Sequence, residues 1–122
     1  MIGDRICIAL VGAGLTGTPL LQSLLAQPFV QVCLVVDLMD DAPGMILART
    51  HNIRTAIDPT AVLELKEPVD LVLNLSGDRQ VEADLRSALE QVGNQQTAIM
   101  PEVGAALMLS MVRGQLVRPA HG

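Results

Sequence analysis

Aromatic residues are almost missing from this sequence: Phe29 stands alone, with no Trp and no Tyr. Half of the 122 residues are apolar all the same. The core must therefore be built from Leu, Val, Ile, Ala and Met, and the protein is nearly transparent at 280 nm. Positive charge is scarce as well. Lys66 is the only lysine among eight Lys plus Arg, against thirteen acidic residues, for a formal net charge of −5. A protein that neutralises a row of phosphates carries a basic patch; none is present, which argues against nucleic acid as a partner. No apolar run approaches the roughly 20 residues that a membrane helix requires. Residues 1–5 are too short and too acidic for a secretion signal, so a soluble, cytoplasmic protein is expected. The two cysteines, Cys7 and Cys33, have neither zinc-finger nor Cys-x-x-Cys spacing. Both fall inside apolar runs and read as small buried hydrophobes in a reducing compartment. At this length one domain with its own core is expected, over residues 1–118, with a loose tail at 119–122.

What the sequence does have begins at residues 6–17, Ile-Cys-Ile-Ala-Leu-Val-Gly-Ala-Gly-Leu-Thr-Gly. An apolar run ends in Gly12-Ala13-Gly14-Leu15-Thr16-Gly17, the G-x-G-x-x-G spacing, and a helix-compatible stretch follows. In a strand-turn-helix context Gly12 makes the tight turn, Gly14 lets a pyrophosphate reach the backbone, and Gly17 lets the helix pack close. Amides at the helix start would hold the anion. A second apolar run, 29–36, ends at Asp37, about twenty residues past Gly17. That is where an acceptor for ribose hydroxyls belongs; the alternative is a solvated turn carboxylate or a cap. Leu38, Met39, Asp40 and Asp41 follow with no Arg or Lys among them, which favours NAD over NADP.

The remaining pattern alternates strand and helix at short intervals. Strands are expected at 5–11, 29–36, 53–57, 69–75 and 97–100, and helices at 15–27, 45–50, 79–92 and 105–117, with a helical turn from Asp58 to Leu65. Asp41 and Asp78 read as acidic helix caps, and Asn52 as a left-handed helix end. Short connections between alternating elements imply right-handed crossovers and a parallel sheet. The fold class expected is α/β: a Rossmann-like, doubly wound sheet of five strands in the order 3-2-1-4-5, with helices on both faces.

With Gly12, Gly14 and Gly17 after the first strand, Asp37 after the second, and Val-Asp-Leu-Val-Leu-Asn-Leu-Ser-Gly at 69–77, the chain resembles a known family domain. This is the NAD(P)-binding domain of glucose-fructose oxidoreductase and homoserine dehydrogenase-type oxidoreductases. The resemblance implies that Asn74, Ser76 and Gly77, at the end of the fourth strand, lie along the dinucleotide. Many members carry Glu-Lys-Pro after the fifth strand; here Pro101-Glu102-Val103 stands in its place without a lysine. The likeness covers only the nucleotide-binding half of such an enzyme.

Hydride transfer also needs a side chain to move a proton and a substrate held in reach. Lys66 falls on the wrong edge of the sheet, His121 in the tail, and His51 at a helix end. Glu102 lies after a strand on the right edge, but a single carboxylate makes a poor catalytic constellation. An NAD(H)-binding module, sensory or regulatory and without complete catalytic machinery, is expected. The alternative is the cofactor half of an NAD-dependent dehydrogenase completed by another domain or chain. A methyltransferase-like nucleotide site and a purely structural module are weaker readings. The last helix, 105–117, is apolar on more than one face, which predicts a homodimer or a partner domain against it.

Overall fold

The computed structural model describes residues 5–14 and 16–118. Five strands, β1 (Ile6–Val11), β2 (Val30–Val36), β3 (Thr55–Ala56), β4 (Leu71–Asn74) and β5 (Ala98–Met100), alternate with four helices. These are α1 (Gly17–Leu25), α2 (Pro43–Thr50), α3 (Arg79–Gln91) and α4 (Glu102–Arg113), with a 3-10 turn at Pro59–Glu64 before β4. All strand pairs are parallel and the sheet order is β3-β2-β1-β4-β5. This is a Rossmann-like sheet, in the order read from the sequence.

Alternation along β1 divides the core in two, because successive side chains point to opposite faces. Ile8 and Leu10 join Leu20, Leu21, Leu24, Met45, Leu73 and Leu109 beneath α1, α2 and α4. Cys7, Ala9 and Val11 join Leu34, Val36, Val62, Val72 and Leu85 beneath α3 and the 3-10 turn. Both faces of the central strands are covered, which is why β1 and β4 read as near-continuous apolar runs. Each fully buried Leu contributes roughly 1.5–3 kcal/mol. Phe29 is exposed, so the core is aliphatic as its composition requires.

β2 contains one irregularity with consequences. Ile8 pairs with Val32 but Ala9 pairs with Leu34, so Cys33 is an extra, bulged residue. A bulge turns two successive side chains toward one face, and Cys33 indeed packs on the same side as Leu34. Cys7 is on that face too, and the two cysteines are joined as a disulfide with Cα atoms 6.3 Å apart. The expectation of two independent buried thiols is corrected here. Cys7 pairs with Gln31, which puts Cys33, two residues on, on the same face, and nothing in the sequence states that register.

Other departures lie at element ends. The helix expected at 105–117 begins earlier, at Glu102 behind Pro101, and stops at Gly114, whose φ of 72° terminates it in the left-handed region. Leu116 and Val117 therefore lie beyond the helix, and the Val117 amide donates to the Ser110 hydroxyl (2.8 Å). Asp41 does not cap α2; Ala42 occupies that position without a side-chain bond. Asp78 does cap α3, its carboxylate accepting from the Gln80 amide at 2.8 Å. Asn52 has the expected positive φ, 58°. The 53–57 strand shrinks to two residues and the 69–75 strand to four. The expected tail at 119–122 lies outside the described residues.

Candidate nucleotide site

The carboxyl ends of β1, β2, β4 and β5 share one edge of the sheet, and the chain leaves β1 toward β2 on one side while β4 lies on the other. A crevice opens at such a switch point. Gly12 turns off β1 with φ of 100°, and its amide donates to the Val36 carbonyl at 2.7 Å. A Cβ at Gly12 would stand 2.7 Å from the Leu75 carbonyl carbon. The turn thus demands glycine for conformation and for the closeness of β4 alike. At Gly17 a Cβ would come within 2.0 Å of the Gly12 carbonyl oxygen. The close approach there is of α1 onto the loop itself, where the sequence suggested packing on the strand. Gly14 differs from both: among the described residues, its chain neighbours aside, nothing lies within 4 Å of a Cβ built on it. The space above that backbone is open.

The loop is held from three directions. The Thr18 hydroxyl donates to the Ala13 carbonyl at 2.9 Å, and the Gly44 amide donates to the same oxygen at 3.0 Å. Gly44 is itself required by proximity, since a Cβ on it would sit 2.7 Å from that of Ala13. The third support comes from Asp37. Its Oδ2 accepts from the Ala13 amide at 2.7 Å and its Oδ1 from the Met39 amide at 2.8 Å. Each carboxylate oxygen has a second lone-pair direction still to offer. Ala13 is fully buried and Leu38 is 80% exposed. Thr16 is buried ahead of α1, and Leu15 lies outside the described residues.

At the end of β4 the side-chain Oδ1 of the buried Asn74 accepts from the Ser76 hydroxyl at 2.7 Å and from the Ser76 backbone amide at 3.2 Å. Gly77 follows with φ of 72°. These residues border a cleft of about 390 Å³ lined by Asn74, Gly77, Asp78, Arg79, Glu82, Pro101, Glu102 and Val103. Its rim carries three carboxylates and one guanidinium. Of these, Arg79 and Glu82 were not singled out from the sequence, because their role depends on where the first turn of α3 meets β5. Arg49 was missed as well. Its guanidinium reaches back from the last turn of α2 to the Asp40 carboxylate and carbonyl, so the cation nearest in chain to the Asp37 turn is already paired.

Asn74, Ser76, Gly77 and the Gly12–Gly17 loop are brought together through the bonds between β1 and β4, where the Leu75 amide donates to Val11 at 2.7 Å. Asp37 joins them through Ala13. Lys66 and His51 instead border a cleft beside Cys33, Glu67 and Gln31, toward the amino ends of β1 and β4.

No protein-family model matches the chain, and no curated protein matches it in sequence. Solved structures with the same fold were found. GenD2 from gentamicin A biosynthesis, in complex with NAD, is 21% identical with a TM-score of 0.64, over 94% of this chain and 34% of its own. A myo-inositol dehydrogenase from Corynebacterium glutamicum is 18% identical with a TM-score of 0.60, over 90% of this chain and 33% of its own. Biliverdin reductase from Synechocystis, in complex with biliverdin and NADP+, is 19% identical with a TM-score of 0.57, over 91% and 36%. This chain thus has a Rossmann fold similar to part of these inositol dehydrogenase-type oxidoreductases, and spans about a third of their length.

Proposed function

We propose that this chain is a dinucleotide-binding module that takes NAD in preference to NADP. The observation that carries the reading is the junction of Asp37 with the glycine loop: a carboxylate bonded to Ala13, beside open backbone at Gly14. A pyrophosphate would lie over Gly14 and the start of α1, where amides and the helix dipole favour an anion. The adenosine ribose would donate its hydroxyls to the free lone pairs of Asp37, next to Leu38. A 2′-phosphate would instead meet Asp37, Asp40 and Asp41, with Arg49 already paired to Asp40. The far end of the dinucleotide would pass Asn74, Ser76 and Gly77 into the cleft before α4. Its acidic rim suits the cationic nicotinamide ring of NAD+ better than a second phosphate group.

Glu102 lies on this edge beside Asp78 and Glu82, a set of carboxylates without a histidine or lysine among the described lining residues. The module would sense or present the nucleotide rather than turn it over. The dehydrogenase alternative is favoured by the partial coverage of the solved relatives, and requires further chain to supply substrate contacts. Val103, Leu107 and Met111 form an exposed stripe on α4, the surface on which a second copy or a partner domain would dock. Calorimetric titration with NAD, NADH, NADP and S-adenosylmethionine tests the reading. Saturable heat with NAD and weaker heat with NADP is expected; no heat with millimolar NAD refutes it, and a response to S-adenosylmethionine alone replaces the ligand.

A further inference from the structure

A second cluster lies at the opposite edge of the sheet. β2 sets Cys33 beside Cys7, the second residue of β1, and Glu67 approaches from the connection into β4. The two Sγ atoms and a carboxylate oxygen of Glu67 all lie within 4.8 Å of one another. We propose that the reduced form of the protein binds a zinc ion through Cys7, Cys33 and Glu67, with water as the fourth ligand.

The chemistry of the donor set points to this metal. Two thiolates and a carboxylate suit a tetrahedral zinc, with Zn–S near 2.3 Å and Zn–O near 2.0–2.2 Å. Those lengths place the two sulfurs roughly 3.8 Å apart, a separation that side chains on Cα atoms 6.3 Å apart can span. Glu67 is exposed and steadied by the Gln31 amide, which donates to its Oε2 at 3.2 Å. Its position leaves the outer side of the cluster open. Clefts of about 240 and 450 Å³ flank the disulfide, one bordered by Arg5 and the other by Lys66. Those two cations border a site where two thiolates and a carboxylate leave net negative charge around Zn²⁺. Asp70, also on the first cleft, directs a carboxylate oxygen to the Cys7 amide at 2.8 Å, which fixes the backbone of that ligand.

The oxidised and metal-bound forms exclude one another. A dithiol reductant converts the Cys7–Cys33 disulfide into two thiols while becoming a disulfide itself. Zinc then displaces two protons to solvent, with no further change of oxidation state. The residues involved are separate from the glycine loop and Asp37, so metal binding and nucleotide binding can succeed or fail independently.

Cobalt(II) is the probe. Reduced protein, freed of reductant under anaerobic conditions, is expected to bind one equivalent, with thiolate-to-cobalt charge-transfer bands in the near ultraviolet. Added zinc should abolish those bands. A chain without Trp or Tyr leaves that region clear. Oxidised protein and C33S should show no such bands, and E67Q, a surface change that leaves the core alone, should weaken binding at least about tenfold. No saturable binding at about 100 μM cobalt overturns the proposal. So does affinity unchanged in E67Q, or bands that persist in the oxidised protein.

Discussion

Replacing Asp37 by alanine should weaken the fold as well as the ligand site, and the two losses can be measured separately. The carboxylate accepts from the amides of Ala13 and Met39 at 2.7 and 2.8 Å. Met39 is exposed, and water can replace the carboxylate at its amide. Ala13 is fully buried, and its amide would be left without that acceptor. A hydrogen bond to a charged group contributes about 1.5–3 kcal/mol, and an orphaned buried donor costs about 1–3 kcal/mol. The expected destabilisation is therefore about 2 kcal/mol, a large share of the roughly 5–15 kcal/mol available to a domain of this size. In thermal terms it is a fall in Tm of about 6–10 °C. Asp37→Asn retains one acceptor oxygen, and should lose about half as much by keeping the Ala13 bond and giving up that to Met39. With no Trp or Tyr to report unfolding, far-ultraviolet circular dichroism or calorimetry is the assay. For the folded alanine variant, loss of two ribose bonds should raise the Kd for NAD about 10- to 100-fold. A Tm within a degree of the parent would refute the structural role of Asp37. An unchanged Kd would refute the ribose assignment.

The glycines separate in the same way. Gly17→Ala forces a Cβ to within 2.0 Å of the Gly12 carbonyl oxygen; backbone cannot yield there, so Tm should fall by more than about 10 °C or the protein should be insoluble. Gly14→Val adds atoms into open space, so the circular dichroism melt should stay close to the parent while NAD titration shows no binding; a stable, fully binding variant would place the pyrophosphate elsewhere. Reduction of the Cys7–Cys33 disulfide, which spans 26 residues, should cost up to about 3.5 kcal/mol on a loop-entropy estimate. Denaturant melts with and without a dithiol should differ accordingly, whereas C33S melts should not. Asp58 caps the 3-10 turn, and its bond from the Thr60 amide holds its carboxyl below the ordinary value of 3.8. A depressed carboxylate contributes stability above its unfolded pKa and loses it as pH falls through the folded one. The cost of Asp58→Ala, about 0.5–1 kcal/mol at pH 7, should thus shrink below pH 3.8 and vanish beneath the folded pKa; a gap that widens in acid would contradict the assignment.

The sequence by itself determined the sheet, its order, and the edge at which the glycine loop and Asp37 meet. Those follow from local rules that act within a few residues: apolar runs buried on both faces, glycines at a strand end, and an acid one strand later. Gly12 is an example, because a residue forced to positive φ at a turn announces itself by type. The tertiary structure alone decided what depends on register and on distant neighbours. It showed that Asp37 is a brace for the loop through Ala13, that Gly44 of α2 closes on that same residue, and that Arg49 is already paired to Asp40. It also showed that the register of β1 on β2 sets Cys33 on the face of Cys7, where the two form a disulfide. A pairing shift of a single residue moves a side chain to the other face of a sheet, and no composition or spacing records such a shift. The same limit explains the last helix: its apolar content was legible, but its start at Glu102 and its stop at Gly114 were set by how β5 ends and where the chain must turn.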